Sequence, residues 1–277
     1  MRVRLPMEFR AVSQAEQVEF YGKYNEVLNV IEKSAKNTSE LLQEMENAGV
    51  NFAVIHAEYE FGENIEELNK AVASLVTKYP DKFAGFGTVD LQKFKTLDLV
   101  KQAEEIYDSG LKGINLQPAF FERDPLDRRL YPLYATAHKL GLIISFHTGI
   151  HYSLNHPMMN NSPLFIDQLS VDFPGLKIIA CHGGWPWTQE LVAVARRHSS
   201  VFIEFGGVAP KYIEKNGLGW EPIYSLLNNL LSNQVLFGTD WPVLSMERAK
   251  TEWIKMGLKQ ETLNKLFRGN AEKILNK

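Results

Sequence analysis

The sequence has only one cysteine, Cys181, among 277 residues. One cysteine cannot form a disulfide within the chain, and it cannot supply the thiolates of a Cys-rich zinc module. A chain of this length can bury a large core without cross-links. A reducing compartment follows as the default, so we expect a cytoplasmic protein.

The chain also lacks an excess of either charge. Lysine and arginine number 30, aspartate and glutamate number 33, and the net charge is -3. Without a basic field, we expect no general binding to nucleic acid. No apolar run approaches the roughly 20 residues of a spanning helix, so we expect no membrane partner. Residues 1–6 carry two arginines but no apolar stretch, which excludes a signal peptide there and leaves open whether Met1 is the true start.

Linkers and nucleotide motifs are missing as well. No low-complexity segment and no Pro- or Ser-rich stretch divides the chain, so we expect one domain over residues 1–277. No G-x-G-x-x-G sequence follows an apolar run, and Gly85-Phe86-Gly87 is too short to count. The dinucleotide-binding fingerprint is therefore absent.

What the sequence does contain is an alternation of short apolar runs with longer amphipathic stretches. The runs are nearly continuous in Ile, Val, Leu and Phe, which is typical of parallel strands covered by helices. They cover residues 2–5, 51–57, 83–89, 112–117, 142–147, 176–182, 201–205 and 234–238.

Helices are predicted between these runs from apolar residues at helical spacing and from glycines that follow the last periodic residue. They cover residues 38–47, 64–79, 91–109, 131–140, 163–173, 187–197, 221–232, 247–256 and 260–275. Eight strand–helix units in about 250 residues predict an α/β fold of the (β/α)8 TIM-barrel type, ahead of a doubly wound open sheet. Residues 7–36 are predicted to be a short insertion after the first strand.

Polar residues end most of the predicted strands. In a TIM barrel, the carboxyl ends of the strands surround the active-site mouth. The residues at these ends are His56, Glu58, Asn115, Gln117, His147, His182, Glu204 and Asp240. Imidazoles and a carboxylate from three different strands can converge as metal ligands or as an acid–base set.

Several motifs in a fixed order identify a family resemblance. They are Tyr79-Pro80-Asp81-Lys82-Phe83, the stretch Gly110 to Gln117, Leu130-Tyr131-Pro132, His147-Thr148-Gly149, His182-Gly183-Gly184, Gly238-Thr239-Asp240-Trp241-Pro242 and Gly269-Asn270-Ala271. The chain resembles the amidohydrolase-related TIM barrels of the decarboxylase-like branch. That branch includes aminocarboxymuconate semialdehyde decarboxylase, resorcylate decarboxylases and pyrone dicarboxylate lactonases. The resemblance covers most of the chain and implies a hydrolase or a lyase.

The resemblance also implies roles for three strand-end residues. His147 matches a metal ligand. Asp240 matches a ligand that also acts as general base toward water, and His182 matches a residue that binds this water or the substrate and shuttles a proton. The implied metal is a divalent ion, zinc first, whose bound water would have a pKa near 7.

The first strand departs from the family pattern. Metal-binding members carry His-x-His there, whereas this chain has Arg2-Val3-Arg4 and no histidine before His56. Arginine stays protonated and has no lone pair to give to a metal. We therefore expect a weakened or absent metal site.

The two arginines lie two residues apart and so share one face of a strand. A guanidinium pair on the barrel interior would suit bidentate binding of a substrate carboxylate. Metal-independent lactonases of the same family hold substrate carboxylates with arginines. Alternatively, Arg2 and Arg4 are surface residues, or they form buried salt bridges with Glu204 and are structural.

Three further residues are candidates for contact with substrate. His56 ends the second predicted strand and would otherwise bond a backbone carbonyl. Trp185 and Trp241 flank the His182 and Asp240 motifs and would line an aromatic pocket, or else pack between barrel and helix.

Two functions fit these features. The first is an enzyme that hydrolyses or decarboxylates a small, carboxylate-bearing and therefore anionic substrate, with Asp240 as general base and His182 assisting. The second is a non-catalytic barrel that binds a small molecule and has lost its metal centre. A homodimer is expected from the resemblance alone.

Overall fold

The computed structural model describes residues 1–22, 25, 26, 29–34 and 36–277. The predicted insertion at 7–36 therefore contains residues outside the described set, namely 23, 24, 27, 28 and 35. Among the described residues, no helix is both long and apolar enough to cross a membrane.

The predicted (β/α)8 barrel is confirmed: parallel strands form a nearly closed sheet in chain order, with helices between them. The strands are β1 (Arg2–Arg4), β2 (Ala53–His56), β3 (Phe83–Gly87), β4 (Gly113–Leu116), β5 (Ile143–His147), β6 (Ile178–Cys181), β7 (Val201–Glu204), β8 (Val235–Leu236) and β9 (Gly238–Trp241).

The last predicted strand is split in two. β8 pairs with β7, whereas β9 pairs with β1, so these two pieces bring the first strand next to the last. The break lies at Phe237, whose backbone N–H donates to the carbonyl of Leu266 at 3.0 Å instead of joining the ladder. Asp240 therefore sits on the strand that adjoins Arg2.

Helices occupy nearly all the predicted positions. They are α1 (Gln14–Tyr21), α2 (Val30–Ser34), α3 (Thr38–Asn47), α4 (Ile65–Lys78), α5 (Thr96–Asp108), α6 (Tyr131–Leu140), α7 (Leu164–Asp172), α8 (Thr188–Arg197), α9 (Glu221–Tyr224), α10 (Met246–Lys255), α11 (Gln260–Asn264) and α12 (Asn270–Leu275).

Two helices, α5 and α9, are shorter than predicted. α5 begins only at Thr96 because the Asp90 carboxylate accepts from the backbone N–H groups of Gln92 and Lys93 and holds a turn there. α9 ends at Tyr224, and the rest of the predicted helix, residues 225–232, forms turns.

Alternate residues along each strand point to opposite sides of the sheet. On β6, Ile179 and Cys181 belong to the cluster inside the barrel, whereas Ile178 and Ala180 pack against the helices. Arg2 pairs in register with Val54, an interior residue. The interior face of β1 therefore carries Arg2 and Arg4, as the two-residue spacing predicts.

Candidate active site

A cavity of about 590 Å³ opens at the carboxyl ends of the strands. This volume falls within the usual range for small-molecule sites. Five cationic side chains line it, Arg2, Arg4, Lys33, Lys211 and Arg248, against three acidic ones, Glu58, Glu60 and Asp240. Its aromatic lining consists of Phe20, Tyr21, Phe120, Tyr152, Trp185, Tyr212 and Trp220, together with the rings of His147, His151 and His182.

Arg2 forms the floor of this cavity. Its two terminal nitrogens bind different carboxylates: Nη1 donates to Oδ1 of Asp240, and Nη2 donates to Oε1 of Glu58 at 2.6 Å. Nε lies 3.4 Å from Nδ1 of His56. The Arg2 side chain is only 5% exposed, so these are contacts of a buried guanidinium.

Arg4 has partners of its own. Nη2 of Arg4 pairs with Glu60, and Nη1 donates to the Tyr21 hydroxyl at 3.1 Å. Arg10 extends the network, because its Nε donates to Glu63 at 2.8 Å and its Nη2 donates to the carbonyl of Glu58 at 3.0 Å. Three arginines from the start of the chain thus pair with carboxylates that follow β2.

These contacts determine the charge states of Arg2 and Asp240 on the cavity floor. Burial alone would raise the pKa of the Asp240 carboxyl, but the Arg2 and Arg4 guanidinium groups outweigh burial and hold that pKa well below its usual range. Burial opposes the charge on Arg2, yet Asp240 and Glu58 raise the pKa of the guanidinium above its ordinary value. Asp240 is therefore an ionised carboxylate at neutral pH.

His182 faces the same cavity as a neutral imidazole. Burial, followed by the charge of Arg2, lowers the pKa of His182. Its Nδ1 lies 2.6 Å from the carbonyl oxygen of Gly206, which can accept a hydrogen bond but cannot donate one. The proton of the neutral ring therefore sits on Nδ1, and Nε2 keeps a lone pair.

His147 stands beside His182, with ring centroids 4.5 Å apart. Burial, and then the neighbouring His182, lowers the pKa of His147 well below its ordinary value. Its Nε2 lies 3.3 Å from the carbonyl of Ile150, which again fixes the proton on the nitrogen that faces a carbonyl.

His182 and Asp240 approach each other over Gly207. A methyl group added at Gly207 would lie 3.4 Å from Nδ1 of His182 and 3.6 Å from Oδ2 of Asp240. Gly207 itself has a positive φ of 73°. A residue without a side chain at this position therefore leaves room beside both functional groups.

The backbone of both residues is unusual. His182 has φ 65° and Asp240 has φ 52°, in the left-handed region that few non-glycine residues adopt. Such conformations cluster at functional sites, where the surrounding structure holds a side chain in place. His182 follows directly on β6 and Asp240 lies within β9, so both are anchored to the barrel by a strand.

Glu204 lies behind His182 rather than in the cavity. One carboxylate oxygen accepts from the N–H of Gly206, the residue whose carbonyl holds His182. Burial raises the pKa of Glu204. A methyl group added at Gly238 would lie 1.5 Å from Oε1 of Glu204, so a side chain there would force this buried carboxyl group to move.

His147 and Asp240, the predicted metal pair, do not fit a divalent ion in this arrangement. Oδ1 of Asp240 is bonded to Arg2, a cation without a lone pair. Nε2 of His147 faces a carbonyl. Within the part of the chain that the structure describes, no three His, Cys, Asp or Glu side chains are grouped to hold a metal.

The other predicted site residues are divided between the cavity and the core. Trp185 lines the cavity, and its indole N–H donates to the carbonyl of Leu218 at 2.7 Å. Trp241 is buried against α3, where its indole N–H donates to Glu44, and it does not line the cavity. His56 is also enclosed, below Arg2.

Sequence reasoning missed the residues that neutralise the arginines. Glu58 was a strand-end candidate without a partner, while Arg10, Tyr21, Glu60 and Glu63 were not singled out. A signal was present: three glutamates within six residues follow a buried strand, and three arginines lie in the first ten residues. Buried charges of opposite sign need each other.

Solved structures with the same fold were found by comparison. An uncharacterized TIM-barrel protein of Bordetella bronchiseptica has a TM-score of 0.81 and 24% identity over 100% of this chain and 99% of its own. A 5-carboxyvanillate decarboxylase of Novosphingobium aromaticivorans, with bound manganese and a substituted nitrobenzoic acid, has a TM-score of 0.68 and 16% identity over 90% and 84%.

A probable 2-pyrone-4,6-dicarboxylic acid hydrolase of Acinetobacter baumannii, with citric acid bound, has a TM-score of 0.64 and 13% identity over 86% and 88%. The fold is thus shared with a decarboxylase and a hydrolase, as the resemblance implied. Residues 36–277 match the amidohydrolase family. This chain belongs to the amidohydrolase family.

Proposed function

We propose that this chain hydrolyses or decarboxylates a small organic substrate that bears a carboxylate, with Asp240 as general base and His182 assisting. One observation carries the proposal: the ionised Asp240 carboxylate and the neutral His182 imidazole, whose Nε2 keeps a lone pair, both line the cavity beside Gly207. Groups of this kind act as proton acceptors and donors in hydrolysis and in decarboxylation.

The charges of the lining support an anionic substrate. Arg2 and Arg4 are neutralised by carboxylates on the floor, whereas Lys33 and Lys211 add positive charge nearer the mouth. We therefore infer that Lys33 and Lys211, rather than Arg2 and Arg4 as predicted from the sequence, contact the substrate carboxylate.

The aromatic walls favour a planar substrate. Phe120 contacts the ring of His147 with centroids 5.4 Å apart, and Tyr21, Trp185 and Trp220 complete the walls. The decarboxylase and the probable hydrolase described above act on carboxylate-bearing rings according to their names, which supports this proposal.

In hydrolysis, Asp240 orients a water and accepts its proton while the water oxygen attacks the substrate carbonyl carbon. His182 accepts that proton at Nε2 and passes it to the leaving oxygen as the bond to carbon breaks. The low pKa of Asp240 makes it a weak base, so transfer onward to the imidazole is favourable. In decarboxylation, the neutral His182 ring first takes a proton from solvent water at Nε2. The bond to the carboxylate carbon then breaks, CO₂ leaves, and the remaining carbanion takes that proton from His182, which returns to its neutral form.

The test is turnover of a panel of lactones, esters and aromatic carboxylic acids by the chain and by Asp240→Asn. Asp172→Asn, at an exposed residue that does not line the cavity, is the matched control. We expect Asp240→Asn to lose about 10²–10⁴-fold in kcat while the control keeps full activity. Undiminished turnover by Asp240→Asn would contradict the role of Asp240. Thermal stabilisation by panel members without any turnover would favour the non-catalytic binding barrel.

A further inference from the structure

The Arg2 side chain is held in the site by contacts with residues from several strands. It extends from β1 and binds Asp240 on β9, Glu58 after β2 and the ring of His56 on β2. Glu58 is held in turn, because Gln117 donates to its second oxygen at 2.8 Å. The guanidinium thus has its own layer of supporting contacts, as a resident ion would.

A metal ion and a guanidinium perform the same electrostatic task for a buried carboxylate. Each compensates the negative charge that burial makes costly. Arg2 does so through two separate nitrogens that bind two carboxylates at once, a geometry suited to its planar fork. A divalent ion bound to Asp240 would share this carboxylate with the Arg2 guanidinium, and the two cations would repel each other.

Arg4 repeats the arrangement on the same strand face. It pairs with Glu60 and the Tyr21 hydroxyl, next to the Arg2 cluster. The two interior positions of β1 therefore supply two permanent positive charges. Two imidazoles at these positions would supply lone pairs and no permanent charge.

We propose that the Arg2 guanidinium replaces a divalent metal as the resident cation of this site, and that the arginines of β1 prevent a metal from binding there. The proposal rests on the proposed function only in placing the chemistry in this cavity. It concerns metal content and stability, so it is tested separately from turnover.

The first experiment measures metal in the purified chain after incubation with zinc or manganese chloride and desalting. We expect far less than a stoichiometric amount by elemental mass spectrometry. Stoichiometric metal that is lost in Asp240→Asn would overturn the proposal, whether or not the chain turns over any substrate.

The second experiment converts the site. In the double variant Arg2→His, Arg4→His, two imidazoles join His147 and Asp240. We expect this variant to retain stoichiometric zinc or manganese and to melt at a higher temperature with the metal than without it. Arg248→His, which adds one imidazole to the same cavity, is the control and should retain none. A folded double variant that retains no metal would contradict the proposal.

A third measurement applies even if the double variant fails to fold. In Arg2→Ala, methylguanidinium added at fixed ionic strength should raise the melting temperature more than methylammonium does, while the unmodified chain responds to neither. Equal responses to the two cations would show that the carboxylates do not require a guanidinium, and would overturn the proposal.

Discussion

Arg2 and Asp240, separated by 238 residues in sequence, form an ion pair on the floor of the cavity. The strands that carry them are neighbours, because β1 pairs with β9 where the barrel closes. The contact therefore joins the first strand to the last, and it also sets the charge of the proposed general base. A change at Arg2 is expected to affect stability and catalysis together.

Replacing Arg2 by methionine should destabilise the chain by about 3–5 kcal/mol, because it leaves the carboxylates of Glu58 and Asp240 buried without their cation. The measurement is chemical denaturation of both proteins. Arg248→Met is the control, since Arg248 is half exposed and its pair with Glu252 lies at the surface. We expect about 1 kcal/mol or less for the control. Equal losses in the two variants would show that the Arg2 network contributes no more than a surface pair.

Glu204→Gln should change how stability depends on pH. The pKa of Glu204 is raised in the folded state by burial, so the folded chain binds this proton more tightly than the unfolded chain does. The unmodified chain therefore loses stability as the pH rises from the ordinary value of 4.5 through the raised pKa. Glutamine does not titrate. Denaturation across a pH series should show that the free energy of unfolding of the variant rises relative to that of the unmodified chain as the pH increases. A difference between the two free energies that does not change with pH would contradict a raised pKa.

Gly238→Ala should cost about 1–3 kcal/mol, because the added methyl group would overlap Oε1 of Glu204. The cost should fall when Glu204→Ala is introduced first, since the overlapping atom is then gone. A double-mutant cycle measured by denaturation separates this effect from a general intolerance of alanine at the site. Strictly additive losses would show that Glu204 is not what requires the glycine.

Lys211→Met should raise KM for an anionic substrate by about fivefold or less and leave kcat unchanged, because an exposed charge contributes up to about 1 kcal/mol. The effect should shrink at high salt. Lys215→Met is a close control: both lysines lie over the ring of Tyr212, but Lys215 does not line the cavity. Equal effects of both changes, or a loss of kcat alone, would argue against contact between Lys211 and the substrate.

Much of the fold follows from local pattern. Continuous apolar runs predicted the parallel strands, and the motif around Asp240 placed it at the end of the last one. The split of that strand at Phe237 depends on a backbone contact with Leu266, which no local pattern reveals.

The sequence predicts which residues belong to the candidate site better than it predicts which of them bind each other. His147, His182, Asp240, Arg2 and Arg4 were all identified from strand ends and spacing, and all line one cavity. The pairing of Arg2 with Asp240 and Glu58 could not be predicted from the sequence. A guanidinium on a strand face has several carboxylates within reach, and only packing selects among them. Trp241 shows the same limit, since its neighbour Asp240 faces the cavity while its own ring packs against α3.

A crystal structure with anomalous scattering recorded at the zinc and manganese edges, after soaking in each chloride, would identify the cation that Asp240 binds. We expect density for the Arg2 guanidinium bridging Asp240 and Glu58, and no anomalous peak between His147 and Asp240. A strong anomalous peak at that position, with the Arg2 side chain turned away from Asp240, would show that a metal and not Arg2 is the resident cation.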